Sequence, residues 1–292
     1  VDLARSTPRL RFRRIRGYRT GPWLAVVSGS VLLGMVLLAI VGPMFARDPA
    51  LQDLAARLEP PSFAGGESDW FLGTDHLGRD IFSRLVNGAR ISLIVASGSL
   101  ALSALIGIVI GVVAGYYRGI VDDVVMRAVD AQLAIPYVLL AITLVALLHP
   151  SLGSVVIALL LYGWVIYARL VRAEVLSLRE QEFIQATKSM GASDWRIITR
   201  HLLPNIVTPL IVISTLELAN LIIIEAALGF LGLGIPPPTA TWGGMVADGR
   251  TYLTTGVWWL SVIPGAAIML TILAVNILGD WLRDRLDPRL VT

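Results

Sequence analysis

Six long apolar stretches, divided by polar segments, set the pattern of this 292-residue chain. The first runs from Trp23 to Phe45, and the others lie at about 91–115, 124–148, 154–177, 206–234 and 257–282. As a helix the first would extend roughly 34 Å, enough for a hydrocarbon core about 30 Å thick. A cleaved signal peptide has an apolar region of only about 7–15 residues, so this stretch is expected to stay as a span. The pattern predicts an all-α, polytopic membrane protein with six transmembrane helices. It divides into a basic tail (1–22), a first span (23–46), a loop (47–88), a five-helix core (89–285) and a short C-terminal segment (286–292).

The interruptions carry further predictions. Residues 182–204, EFIQATKSMGASDWRIITRHLLP, read as a short helix from Glu182 to Met190, a hinge at Gly191, and a second helix capped by Ser193. Asp194 favours the helix N-terminus, Trp195, Ile198 and Leu202 recur at helical spacing, and Pro204 is expected to end the helix. Helix, hinge and helix make a shaped knob that another protein can grip; the alternative is an interfacial loop with no partner. In the loop GTDHLGRDIFSR (73–84), Asp75 is expected to cap a short interfacial helix with Leu77, Ile81 and Leu85 on its apolar face. Ser99, Ser103, Gly107, Gly111 and Gly115 recur every fourth residue, a stripe that admits a close helix neighbour as a gliding or a packing surface. Pro136 and Pro264 can bend their spans. Trp258 and Trp259 at one end, and Tyr116, Tyr117 and Trp281 at the other, fit an aromatic belt.

Composition agrees with a membrane protein: 55% of residues are hydrophobic and 15% charged, with mean hydropathy +0.74, against about 25% charged in soluble domains. Charge placement orients it. Of 24 basic residues, 18 fall on one side, including seven arginines before the first span. Both termini and the 179–205 loop are therefore expected in the cytoplasm, with 46–88 and 235–256 outside. Beside a span the arginine tail reads as topological, so no nucleic-acid partner is expected. With no cysteine there is no disulfide or thiolate site, and His76, His149 and His201 sit in separate loops, so no metal site is expected. No phosphate loop, Gly-x-Ser-x-Gly or His-Glu-x-x-His motif occurs, and GFLGLG (229–234) merely ends a span, so no catalytic residue is assigned.

Glu225, Glu217 and Asp130 fall within or beside apolar surroundings, where a carboxylate usually faces a bundle interior or a watery path. They are candidates for a translocation path or an intersubunit contact, and Glu225 is expected to pair with a helix of this or a neighbouring subunit, the latter favoured. A secondary transporter or channel would use the same groups for ion coupling. In IPPPTATWGG, Pro237 and an exposed Trp242 are candidates for docking a partner outside.

Five segments in order, GTDHLGRDIFSR, GYYRGIVDDVVMRAVD (115–130), ARLVRAEVLSLREQEFIQATKSMGASDWRIITRHLLPN (168–205), EAALGFLGLGIPPPTATWGGMVADGR (225–250) and LGDWLRDRLDPR (278–289), resemble the second permease subunit of the dipeptide, oligopeptide and nickel class of bacterial ABC importers. The resemblance implies the type I importer fold, a sibling permease, two ATPase domains that bind ATP and magnesium, and an extracytoplasmic binding protein that delivers peptide. It makes 182–204 the EAA loop, whose coupling residues are Glu182, Gln185, Ala186, Thr187, Met190, Gly191, Ala192, Ser193 and Trp195. Gln185 departs from the usual glutamate, and Thr187 and His201 also depart from the pattern.

Overall fold

The computed structural model describes residues 22–67 and 69–286, so most of the two expected tails lies outside the described residues. Among those residues ten α-helices carry the fold. They are α1 (Pro22–Val41), α2 (Ile81–Tyr117), α3 (Ile120–Leu133), α4 (Tyr137–Leu148), α5 (Leu152–Arg179), α6 (Glu182–Ser189), α7 (Asp194–Ile197), α8 (Leu203–Phe230), α9 (Trp242–Gly249) and α10 (Trp259–Leu286). Five are long and apolar enough to cross a membrane, and α3 with α4 makes a sixth, broken span.

The break falls in the third span, where the sequence places a proline able to bend it. At Pro136 the chain bends by 89°, because proline lacks an N–H and pushes the preceding residue out of helical conformation. Polar ties then lean α3 on α5. Asp122 accepts a forked pair of bonds from Arg172, Arg169 meets Asp130 at 2.7 Å, and Trp164 Nε1 donates to Gln132 Oε1 at 3.0 Å. Pro264, by contrast, lies inside an unbroken α10.

The small-residue stripe of α2 is a packing surface consumed within the chain. A methyl group on Gly107 would come within 2.6 Å of the Trp164 carbonyl oxygen, and one on Gly111 within 2.6 Å of that of Ala168. Ser103 Oγ donates to the Leu160 carbonyl at 3.2 Å. Backbones this close interlock, and α2 cannot glide on α5.

Between Gly73 and Asp80 no separate helix forms. Asp80, not Asp75, caps α2, accepting from the N–H groups of Phe82 and Ser83 at 3.3 and 3.0 Å. From there α2 runs unbroken for 37 residues, about 55 Å and longer than the membrane core is thick. At the same end α9 crosses α8 closely, since a methyl on Gly243 would meet Ala226 Cα at 2.7 Å.

Candidate coupling site

Three backbone devices shape the 182–204 segment. At the end of α6 the N–H of Gly191 reaches the Lys188 carbonyl at 3.0 Å and that of Ala192 the Thr187 carbonyl at 3.3 Å, closing a Schellman motif that needs a left-handed residue. Gly191 supplies it with φ +81°. Ser193 then caps α7, its hydroxyl accepting from the Arg196 N–H at 3.4 Å. The expectation that Pro204 ends the second helix is corrected: a π turn, Ile198–Leu202, carries the chain into α8. Pro204 falls in the first turn of α8, where its missing N–H costs little, and the wider turn makes room for its ring.

Side chains divide into feet and crown. Ile184 and Ile197 are buried with Val112, Tyr116, Val171 and Val175, so α6 and α7 stand on the ends of α2 and α5. Met190 and Trp195 are 80% and 75% exposed, with Phe183 also exposed. Glu182, Ala186 and Ala192 lie on or beside this outer surface. Thr187 bonds back to the Phe183 carbonyl at 2.7 Å. Gln185, also exposed, folds back along the backbone, its amide donating to the Arg179 carbonyl at 3.0 Å. That bond satisfies a free carbonyl at the end of α5 and is one a glutamate carboxylate has no proton to make. The feet, and the polar contact of Tyr116 with α7, are missing from the sequence reading.

The three candidate carboxylates do not form one site. Glu225 is 2% exposed with Ser92 of α2 as its polar neighbour, and Glu217 is 5% exposed, accepting from Asn220 Nδ2 at 3.2 Å. Each keeps one oxygen without a hydrogen-bond partner among the described residues. Both are buried inside this chain alone, which corrects the expected contact of Glu225 with a neighbouring subunit. Asp130 is exposed and held by Arg169.

Comparison with known proteins settles the family. Residues 107–292 match the family described as binding-protein-dependent transport system inner membrane component, and residues 23–61 match the N-terminal transmembrane domain of oligopeptide transport permease C. The chain belongs to this family of transport permeases. A putative peptide transport system permease of Brucella suis is 43% identical over 99% of this chain and 94% of that protein. The dipeptide transport system permease protein DppC of Bacillus subtilis is 41% identical over 91% of this chain and 82% of that protein. A chain of the inward-facing MetNI methionine ABC transporter superposes with a TM-score of 0.57 at 20% identity, over 70% of this chain and 96% of that chain. The permease therefore has the type I importer fold, and the secondary-transporter reading falls.

At the far end of the permease, Pro237 is exposed but Trp242 is fully buried, correcting its assignment as an exposed docking residue. Thr241 caps α9, accepting from the Gly244 N–H at 3.1 Å, and this turn sends the indole inward to donate to the Leu85 carbonyl at 3.1 Å. Trp259 is likewise buried, its Nε1 donating to the Thr74 carbonyl at 3.2 Å, and is not a belt residue. Asp75 is the centre of a buried cluster, accepting from the N–H groups of Leu77 and Arg79 at 2.8 and 3.0 Å, from Arg79 Nε at 2.7 Å and from Arg84.

Proposed function

We propose that this chain is the second of two permease subunits in an ATP-driven importer of dipeptides or short oligopeptides. Its sibling completes the translocation pathway, a binding protein outside the membrane delivers the peptide, and two ATPase subunits or domains bind ATP and magnesium. This chain supplies no catalytic group. The peptide class rests on what the Brucella and Bacillus relatives are named for. The bias of basic residues supports an orientation with both termini and α6–α7 in the cytoplasm.

The observation that carries the reading is the exposed crown of Phe183, Met190 and Trp195 above the buried feet Ile184 and Ile197. Apolar side chains held out on a rigid stem, at the end of the bundle expected in the cytoplasm, form an anchor for a groove in the ATPase. Closure of the ATPase dimer on ATP moves the anchor, and the spans rock with it. At the other end the exposed Pro236–Pro237–Pro238 turn is the surface offered to the binding protein.

The test uses the complete transporter. The native chain has no cysteine, so Met190→Cys provides a single site for cross-linking. It is expected to join the ATPase, while Thr239→Cys reacts with an impermeant thiol reagent from outside intact cells. Labelling of Ser193→Cys from outside would overturn the orientation and the coupling role together.

A further inference from the structure

Chain connectivity ties the coupling segment to α5 through Glu180 and Gln181, and to α8 through the π turn, but leaves α2 free of it. Side chains make the missing tie. Tyr116, next to last in α2, donates its hydroxyl to Asp194 Oδ1 of α7 at 2.6 Å, the short length of a bond to a carboxylate. Arg179, the last residue of α5, donates to the Tyr116 carbonyl and lies 5.9 Å from the Tyr116 ring centroid. Arg118 then meets Glu180 at 2.9 Å. Below this polar collar the Tyr116 ring packs with Ile184 and Ile197 in one buried cluster.

We infer that Tyr116 is a positioning residue for energy coupling: its bond to Asp194 makes α2 move with α6 and α7. This rests on the coupling role proposed above. Two further observations define what the tie transmits. The interlocked glycines leave α2 and α5 no room to slide, so a push on α7 reaches both as one displacement. At the other end Arg84, in the first turn of α2, holds Asp248 of α9 at 3.0 Å. Between Tyr116 and Arg84 the unbroken helix spans roughly 48 Å. The helix α2 is thus a rod, fastened at one end to the coupling segment and at the other to α9, beside the surface offered to the binding protein.

Tyr116→Phe removes one oxygen and keeps the ring, so the subunit should assemble with the basal ATPase rate of the parent. In proteoliposomes holding the full transporter, solute moved per ATP hydrolysed should fall roughly tenfold, within the usual range of coupling free energies between sites. Asp194→Ala should cause a similar fall, and the double variant no further one, because both remove the same bond. Additive losses would mean that Asp194 acts only on its own helix, and the tie would be refuted. Asp194→Asn keeps an uncharged acceptor and should lose less than Asp194→Ala; if Tyr116→Phe fails to assemble, an Asp194→Ala transporter with undiminished uptake per ATP overturns the inference. The Met190→Cys cross-link separates the two proposals. Unchanged uptake per ATP in Tyr116→Phe with that cross-link present overturns the tie and leaves docking intact, whereas its absence in the parent overturns both.

Discussion

Arg84 Nη2 donates to Asp248 Oδ2 at 3.0 Å across 164 residues of sequence, while its other terminal nitrogen bonds Asp75. One guanidinium thus holds the loop before α2 and the helix α9 in register. Arg79 reinforces it from the side, 3.6 Å from Asp248. The charges balance, and their geometry joins two segments that share no sequence proximity.

Acid should loosen this cluster. Burial alone pushes the Asp75 carboxyl up; the Arg84 charge, the Arg79 and Leu77 N–H groups and the Arg79 charge outweigh it and hold it below the usual range. A carboxylate depressed in the folded state contributes its stability in full above its unfolded value, about 3.9, and loses it as pH falls through the lower folded value. Asp75→Ala should cost about 3–5 kcal/mol at pH 7 by leaving two buried arginines with Asp248 alone between them. Thermal melts of both proteins should draw together below about pH 4; a gap that stays constant down to about pH 2 would refute this account.

The stripe gives a graded packing series. Gly111→Ala places a methyl 2.6 Å from the Ala168 carbonyl oxygen, whereas one on Gly98 of the same helix has nothing within 4 Å. We expect Gly111→Ala to lower stability by about 1–3 kcal/mol and Gly111→Val to abolish assembly, with Gly98→Ala close to neutral. Yield of monodisperse protein by size-exclusion chromatography reads the difference. Equal yields for Gly98→Ala and Gly111→Val would disprove the interlock.

Gly191 tests conformation without sterics. Its φ is +81°, yet a methyl there meets nothing within 4 Å, so substitution brings backbone strain alone. Asparagine tolerates the left-handed region better than alanine, and valine worse, with a cost on the order of 1–2 kcal/mol for an ordinary residue. All three variants should reach the membrane, with uptake per ATP falling in the order Asn, Ala, Val. The reverse order in a transport assay would exclude the left-handed turn as the operative feature.

Trp242→Ala should behave as a core truncation. Removing a fully buried indole that bonds the Leu85 carbonyl is expected to cost about 3–5 kcal/mol, seen as a lower melting temperature of the purified subunit. Pro237→Ala, at an exposed position, should leave melting unchanged. Normal melting of Trp242→Ala with weakened capture of the binding protein would restore the indole to the surface.

The number of apolar runs, the helix-forming character of the chain, the hinge at Gly191 and the Ser193 cap are all legible in the sequence. Hydropathy over about twenty residues, a capping hydroxyl and a glycine at a turn act within one or two helical turns, so neighbours in sequence suffice to decide them. Pro136 announced a bend by the same local logic, although its size did not follow. Tertiary structure decided the rest. Whether the stripe on α2 meets α5 or a sliding partner, whether Glu225 faces its own chain or another, and whether Trp242 points in or out depend on residues 57 to 157 positions away. The cap of α2 was decided nearer by: Asp75 is claimed by Arg79 and Arg84, four and nine residues on, and Asp80 takes the cap. Long-range packing allocates each polar group to one of several locally acceptable partners, because burying any of them unpaired costs more than the local preferences differ.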